Sequence, residues 1–175
     1  MKIIILPILL LVSIILSGCT STSNTMSNTT NSDKLQNTNK EKKTLEDNNK
    51  ESGDTLNLSN QKLDKVPSYV FNQKNTEVLD LSNNLLTGAL PGEIRFLKNL
   101  KVLKANNNLM TGIPAEVGQL SELETLDLSN NQLTGLPNEL GNLKNLKTMN
   151  LSGNNYSQQD LDYIKERLPN TNFIL

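Results

Sequence analysis

Histidine and tryptophan are absent from this chain of 175 residues, and cysteine occurs once. Without His, the side chain that most often moves protons near neutral pH is missing, and so is a Cys/His set for zinc. A single Cys makes no internal disulfide. Aromatic residues are nearly as scarce: Tyr69, Phe71, Phe96, Tyr156, Tyr163 and Phe173 are all of them, so the apolar mass is aliphatic, mostly Leu. Neither charge is in excess, with 17 Lys and Arg against 18 Asp and Glu. No basic, aromatic-interleaved surface argues for nucleic acid, and no Gly-rich loop is spaced to cradle phosphate. These absences predict a chain that is not an enzyme, holds no metal or cofactor, and takes neither nucleic acid nor a small-molecule substrate.

What the chain does contain begins with Met1-Lys2 and an aliphatic run, Ile3–Leu16, broken only by Pro7 and Ser13. One positive charge, a short apolar core and small residues at its end have the form of a secretory signal peptide. About 14 apolar residues are too few to span a hydrocarbon core of ~30 Å comfortably. The next residues, Leu16-Ser17-Gly18-Cys19, resemble the bacterial lipobox. The resemblance implies removal of residues 1–18, a diacylglycerol on the Cys19 thiol and an acyl group on the new amine: a covalent lipid rather than a cofactor. Several acyl chains hold a protein on a membrane stably, whereas one is marginal. The implied location is beyond the inner membrane, lipid-anchored. Thr20 in place of Asp resembles outer-membrane sorting if the cell is Gram-negative; otherwise the outer face of the plasma membrane is implied.

Composition then shifts abruptly. Beyond Cys19, residues 20–52 are Ser, Thr, Asn and balanced charge, with Met26, Leu35 and Leu45 the only larger apolar side chains. Such a segment buries too little surface to offset its ordering entropy, so residues 19–52 read as a lipidated Cys on a disordered polar tether. A flexible coil of that length spans on the order of 30 Å.

From residue 53 the chain repeats itself. LDLSNN occurs as Leu79–Asn84 and again as Leu126–Asn131. Aligned on it, five copies start at residues 53, 76, 100, 123 and 146, with periods of 23, 24, 23 and 23. LETLDLSNNQL (Leu123–Leu133) is the clearest copy and GDTLNLSNQKL (Gly53–Leu63) the weakest. The frame resembles the leucine-rich repeat, L-x-x-L-x-L-x-x-N-x-L with a period of about 20–29. The resemblance implies an α/β solenoid with a parallel concave sheet and short helical or 3₁₀ convex segments over residues 53–156. The sequence Leu-Thr-Gly-Ala-Leu-Pro in the 24-residue copy also resembles the plant-type variant, which we read as convergence.

The spacing has physical reasons. L-x-L alternates, so Leu79 and Leu81, or Leu126 and Leu128, point to one side of a short strand and stack into a shared core. Pro67, Pro91, Pro114 and Pro137 each follow an apolar residue and start a segment with apolar positions three apart, which suits a 3₁₀ turn. The ninth-position Asn (Asn84, Asn108, Asn131, Asn154) both donates and accepts, and is expected to satisfy backbone groups at the strand end. Gln61 replaces it in the first copy, predicting a looser end there. Residues 157–175 leave the pattern: Ser157 offers an N-cap, Leu161, Ile164 and Leu168 share a helical face, and the last four residues read as a strand. The run from Ile164 to Phe173 resembles the C-terminal caps of bacterial leucine-rich repeat proteins.

Facing out from the expected sheet is a row of Asn57, Asp80, Lys104, Asp127 and Asn150, with Lys104 neutralising the two Asp carboxylates. A second charged row reads Asp54, Glu77, Lys101, Glu124 and Lys147. Two further outward rows read Thr55, Val78, Val102, Thr125, Thr148, and Ser59, Ser82, Asn106, Ser129, Ser152. The first Asn of each LDLSNN is likewise expected to face solvent. Alternating surface pairs are each worth about 0.2–1 kcal/mol, so they read first as ladder stabilisation. Family resemblance implies a protein- or glycan-binding or scaffold module on this face, with Asp80, Lys104, Asp127, Asn150, Thr125 and Val102 as candidate contacts. A host-surface adhesin and a structural envelope lipoprotein without a ligand are the alternatives.

Overall fold

The computed structural model describes residues 53–175; the expected signal peptide, Cys19 and the expected tether fall on residues outside the described ones. Six short strands make one parallel sheet: β1 (Asp54–Asn57), β2 (Thr76–Asp80), β4 (Val102–Lys104), β6 (Thr125–Asp127), β7 (Thr148–Asn150) and β8 (Asn172–Ile174). Between them in the chain lie β3 (Thr87–Gly88) and β5 (Leu109–Met110), which pair only with each other. Helix α1 (Gln158–Arg167) precedes β8. Strand order in the large sheet is chain order, so each strand belongs to one coil of a solenoid.

The Leu alternation sets which side of each strand is buried. Leu79, Leu103, Leu126 and Met149 lie in register across β2, β4, β6 and β7, and each is fully buried. Leu81, Ala105, Leu128 and Leu151, two residues on, are also fully buried. Burial of each Leu contributes about 1.5–3 kcal/mol, yet one coil alone has only one side covered, so the coils stabilise one another.

The return path is four 3₁₀ segments: Ser68–Asn72, Gly92–Phe96, Ala115–Gln119 and Asn138–Asn142. Each follows an extended Pro. Three-residue hydrogen bonds then run on through the segment: Ile94 N to Pro91 O, Leu97 N to Ile94 O, and Leu100 N to Leu97 O, each at 3.1 Å. Those donors are also the apolar residues, so the same three-residue spacing serves backbone and core. In the first copy Gln73 and Thr76 take the corresponding places, and Thr76 is buried.

One residue more in the 24-residue copy changes the far side of the solenoid. Ala89 gives the chain three residues between Leu86 and Leu90, where the neighbouring copy has two between Met110 and Ile113. Here the backbone forms β3 against β5, pairing Thr87 with Leu109 and Gly88 with Met110. Toward the first coil it leaves a depression of about 240 Å³ lined in part by Val66, Leu86, Leu90 and Met110.

At the C-terminal side the Ser157 hydroxyl caps α1 by accepting from Asp160 N. Leu161, Ile164 and Leu168 are buried against the last coils. The Asp160 carboxylate reaches back to accept from Leu136 N at 3.0 Å, and the Thr171 hydroxyl donates to Leu146 O at 2.7 Å. β8 then extends the sheet by one strand, with Phe173 beside Met149.

Candidate functional site

Strand register assembles the outward rows. Asn57, Asp80, Lys104, Asp127 and Asn150 stand side by side across five strands. Thr55, Val78, Val102, Thr125 and Thr148 form the parallel row two residues earlier. So Asp80, Lys104, Asp127, Asn150, Thr125 and Val102 share one face, while Cys19 lies outside the described residues. Asn84, Asn108, Asn131 and Asn154 are not on it; they sit in the turn beyond the strands.

Three expectations about this face are corrected by the geometry. Ser82 and Ser129 do not face solvent: they are 6% and 5% exposed. Each hydroxyl donates to the Asp two residues earlier, Ser82 Oγ to Asp80 Oδ1 at 2.6 Å and Ser129 Oγ to Asp127 Oδ1 at 2.7 Å. The backbone N–H of each Ser donates to the same oxygen, at 2.9 and 3.0 Å. Asn150 repeats the arrangement with Ser152. These are side-chain-mimicked turns, in which an Asx carbonyl oxygen closes the bend at the strand end. A recurring Asp or Asn two residues before Ser is the sequence signal for them.

Lys104 does not neutralise both aspartates. Its ammonium lies 4.0 Å from Asp80 Oδ2, and among the described residues no salt bridge reaches Asp127. The second charged row pairs more closely, Lys101 with Glu77 at 2.9 Å and Lys147 with Glu124 at 2.7 Å. Asp54 drops out of that row, because a register shift between Asp54 and Thr55 sets it beside Thr76. The hydrogen bond to Glu77 raises the Lys101 pKa above its ordinary value, the nearby carboxylates of Glu77, Glu124 and Glu122 adding to it against a smaller opposing effect of burial.

The first Asn of LDLSNN has a backbone reason that periodicity does not reveal. Asn83, Asn107 and Asn130 have φ of 55°, 55° and 52°, in the left-handed region that Asn tolerates better than other non-Gly residues. Gly153 takes the same place with φ 70°. The exposed carboxamides form a ladder, Asn107 Nδ2 donating to Asn83 Oδ1 at 3.0 Å and Asn130 Nδ2 to Asn107 Oδ1 at 2.9 Å.

The second Asn is buried and bridges coils. Asn108 Nδ2 donates to Ala105 O of its own coil and to Leu81 O of the coil before, both at 3.0 Å, while its Oδ1 accepts from Leu86 N at 3.1 Å. Asn131 and Asn154 do the same one and two coils on. Among the described residues no coil precedes the first, so Gln61 has no neighbour to serve. Its side chain is exposed, and its backbone N–H is held by Asn84 Oδ1 at 3.0 Å.

A stack of short parallel strands, 3₁₀ returns and a buried Asn ladder defines a leucine-rich repeat solenoid. The family model for the leucine rich repeat matches residues 54–110 and 98–155, more than half of the chain, and the protein belongs to that family. Among solved structures, a leucine-rich repeat protein of Leptospira interrogans is 40% identical with a TM-score of 0.60, over 63% of this chain and 28% of its own. Internalin C2 of Listeria monocytogenes is 25% identical with a TM-score of 0.58, over 69% of this chain and 49% of its own. The ectodomain of the Arabidopsis receptor kinase GASSHO1/SCHENGEN3, solved with Casparian strip integrity factor 2, is 39% identical with a TM-score of 0.50, over 53% of this chain and 11% of its own. The chain thus spans less than a third of the Leptospira protein and about a tenth of the receptor ectodomain. A search of curated proteins returned no match.

Proposed function

We propose that this chain is a lipid-anchored protein of the bacterial cell envelope whose solenoid holds a protein partner on its concave sheet face. The observation that carries the binding half is the hydrogen-bonded order of that face. Every strand is locked on both sides except at the ends, and the Asp and Asn side chains at the strand ends are fixed by the Ser residues that follow them. A pre-ordered surface binds with little further loss of entropy. Protein is favoured over glycan by the half-buried apolar pair Val78 and Val102 in the middle of the face, which suits an aliphatic or aromatic side chain. The proposal includes no catalytic step. Among the described residues no cluster of His, Cys, Asp and Glu gathers to hold a metal, and no helix is long and apolar enough to cross a membrane.

The anchoring half rests on the Leu16–Cys19 sequence, with a location on the outer membrane of a Gram-negative cell or the outer face of the plasma membrane otherwise. Mass spectrometry of the mature N-terminal peptide tests it: acylated Cys19 is expected, and an unmodified Cys19 thiol would overturn it. For binding, the full chain is used to capture proteins from envelope extract and from host matrix. Wild type is expected to retain a partner that Val102→Arg and Thr148→Arg lose, since both positions point outward and leave the core intact. Capture that survives both substitutions would reject the concave face. No capture at all would favour a structural lipoprotein.

A further inference from the structure

The concave face is neither evenly charged nor evenly polar. Its cations, Lys101, Lys104 and Lys147, are each matched to a carboxylate one strand earlier: Glu77, Asp80 and Glu124. Asp127, well inside the sheet, is left over. Its Oδ1 is held by Ser129 N and Oγ, so the carboxylate is oriented while no described salt bridge reaches it. Beside it stand Thr125 and Thr148, and Asn150, whose Oδ1 is likewise held by Ser152. One strand back begins the apolar step of Val102 and Val78.

We infer that the partner, on the protein-binding reading above, presents an extended segment of the form apolar-x-Lys or apolar-x-Arg, with the apolar side chain on Val78/Val102 and the cation on Asp127. Val102 and Asp127 are diagonal neighbours on adjacent strands, which places such positions about 7–8 Å apart. In an extended chain, side chains i and i+2 lie on one side and about 6.6 Å apart, so the two reach both positions together. A fixed carboxylate is the better half of a charge-assisted hydrogen bond because its orientation has already been set by the fold. A partner acid at that place would face Asp127 unpaired, which rejects it.

The test is selection of a random nonapeptide display library on the immobilised full chain, followed by titration of the enriched peptides. Enrichment of apolar-x-Lys/Arg sequences is expected, with binding weakened roughly ten-fold by Asp127→Asn and abolished by Val102→Arg. Asp127→Asn keeps the oxygen that accepts from Ser129, and an unchanged melting temperature verifies that the turn survives. Changing the peptide's Lys to Glu is expected to remove binding to wild type. Enriched peptides that lack a basic residue, and that respond to Val102→Arg but not to Asp127→Asn, would overturn this inference while leaving the concave face as the binding surface. Peptides indifferent to both substitutions would overturn both readings, and a failure to enrich any sequence would overturn this one.

Discussion

The Asn84 carboxamide completes the coil before its own. Its Nδ2 donates to Leu58 O at 2.9 Å, and its Oδ1 accepts from Leu63 N at 3.0 Å, residues 26 and 21 positions earlier. The same reach recurs at Asn108, Asn131 and Asn154, so the side chain that looks like each repeat's signature is a bond between repeats.

Removing an interior member of that ladder should therefore cost more than removing the residue at its end. Asn108→Ala leaves Leu86 N without its buried acceptor and takes from Leu81 O one of two donors, the other being Asn84 Nδ2. With one buried N–H unsatisfied at about 1–3 kcal/mol, a loss of roughly 2 kcal/mol is expected, against under about 0.5 kcal/mol for Gln61→Ala. Urea unfolding of the two variants measures the difference. Equal losses would show that the ladder is not what stabilises the turns.

The left-handed positions give a separate prediction. Gly153→Ala places a side chain at φ 70°, and its Cβ would lie 2.5 Å from Asn130 Oδ1. Strain at that backbone and displacement of Asn130 together should destabilise the protein by about 1–3 kcal/mol. Asn130→Gly, which relieves the same backbone preference, should stay within about 1 kcal/mol of wild type. A thermal melt that ranks the two in the opposite order would count against a backbone role for this position.

Leu128 is fully buried in the middle of the stack. Leu128→Ala should cost about 2–5 kcal/mol, the transfer of the lost methyls plus the cavity left behind. A melting temperature equal to wild type would reject its inward assignment.

The Lys101–Glu77 pair predicts a pH dependence. A Lys whose pKa is raised on folding contributes stability that is fully present below its ordinary value of 10.5 and is lost as pH rises through the higher folded value. The unfolding midpoint of wild type should therefore fall toward that of Lys101→Met above pH 10.5 and keep its advantage below it. Because Tyr titrates in the same range, the difference between the two proteins is the quantity to follow. A difference that does not change with pH would remove the ion pair from the account.

The repeat frame was legible because its cause is periodic. Leu79, Leu103 and Leu126 recur at coil spacing and are buried together, and the three-residue spacing of Ile94, Leu97 and Leu100 named the 3₁₀ return. The outward rows followed from alternation alone. What stayed hidden were effects that depend on dihedral angles or on a neighbouring coil. Ser82 reads as an outward residue until the chain bends and turns its hydroxyl onto Asp80. Asn83 looks like a solvated polar residue until its φ is known. Gln61 reads only as a substitution until the Asn side chains are seen to reach the coil before their own. The stray charge at Asp127 was missed for a simpler reason: register placed Lys104 between two aspartates, but only side-chain geometry shows which one it leans toward.

The backward reach of the Asn side chains gives the solenoid a direction in time as well as in space. A coil's backbone groups are not all satisfied until residues about 21–27 positions further on have been made and placed. A coil without a successor ends in open carbonyls and N–H groups, which the next coil closes. The last coil is closed differently, by Thr171 on Leu146 O and by the strand that ends at Ile174, whose carbonyl accepts from Leu151 N. Trimming the cap should therefore leave Leu146 O and Leu151 N open, whereas losing the first coil should leave the Asn84 carboxamide without Leu58 O and Leu63 N.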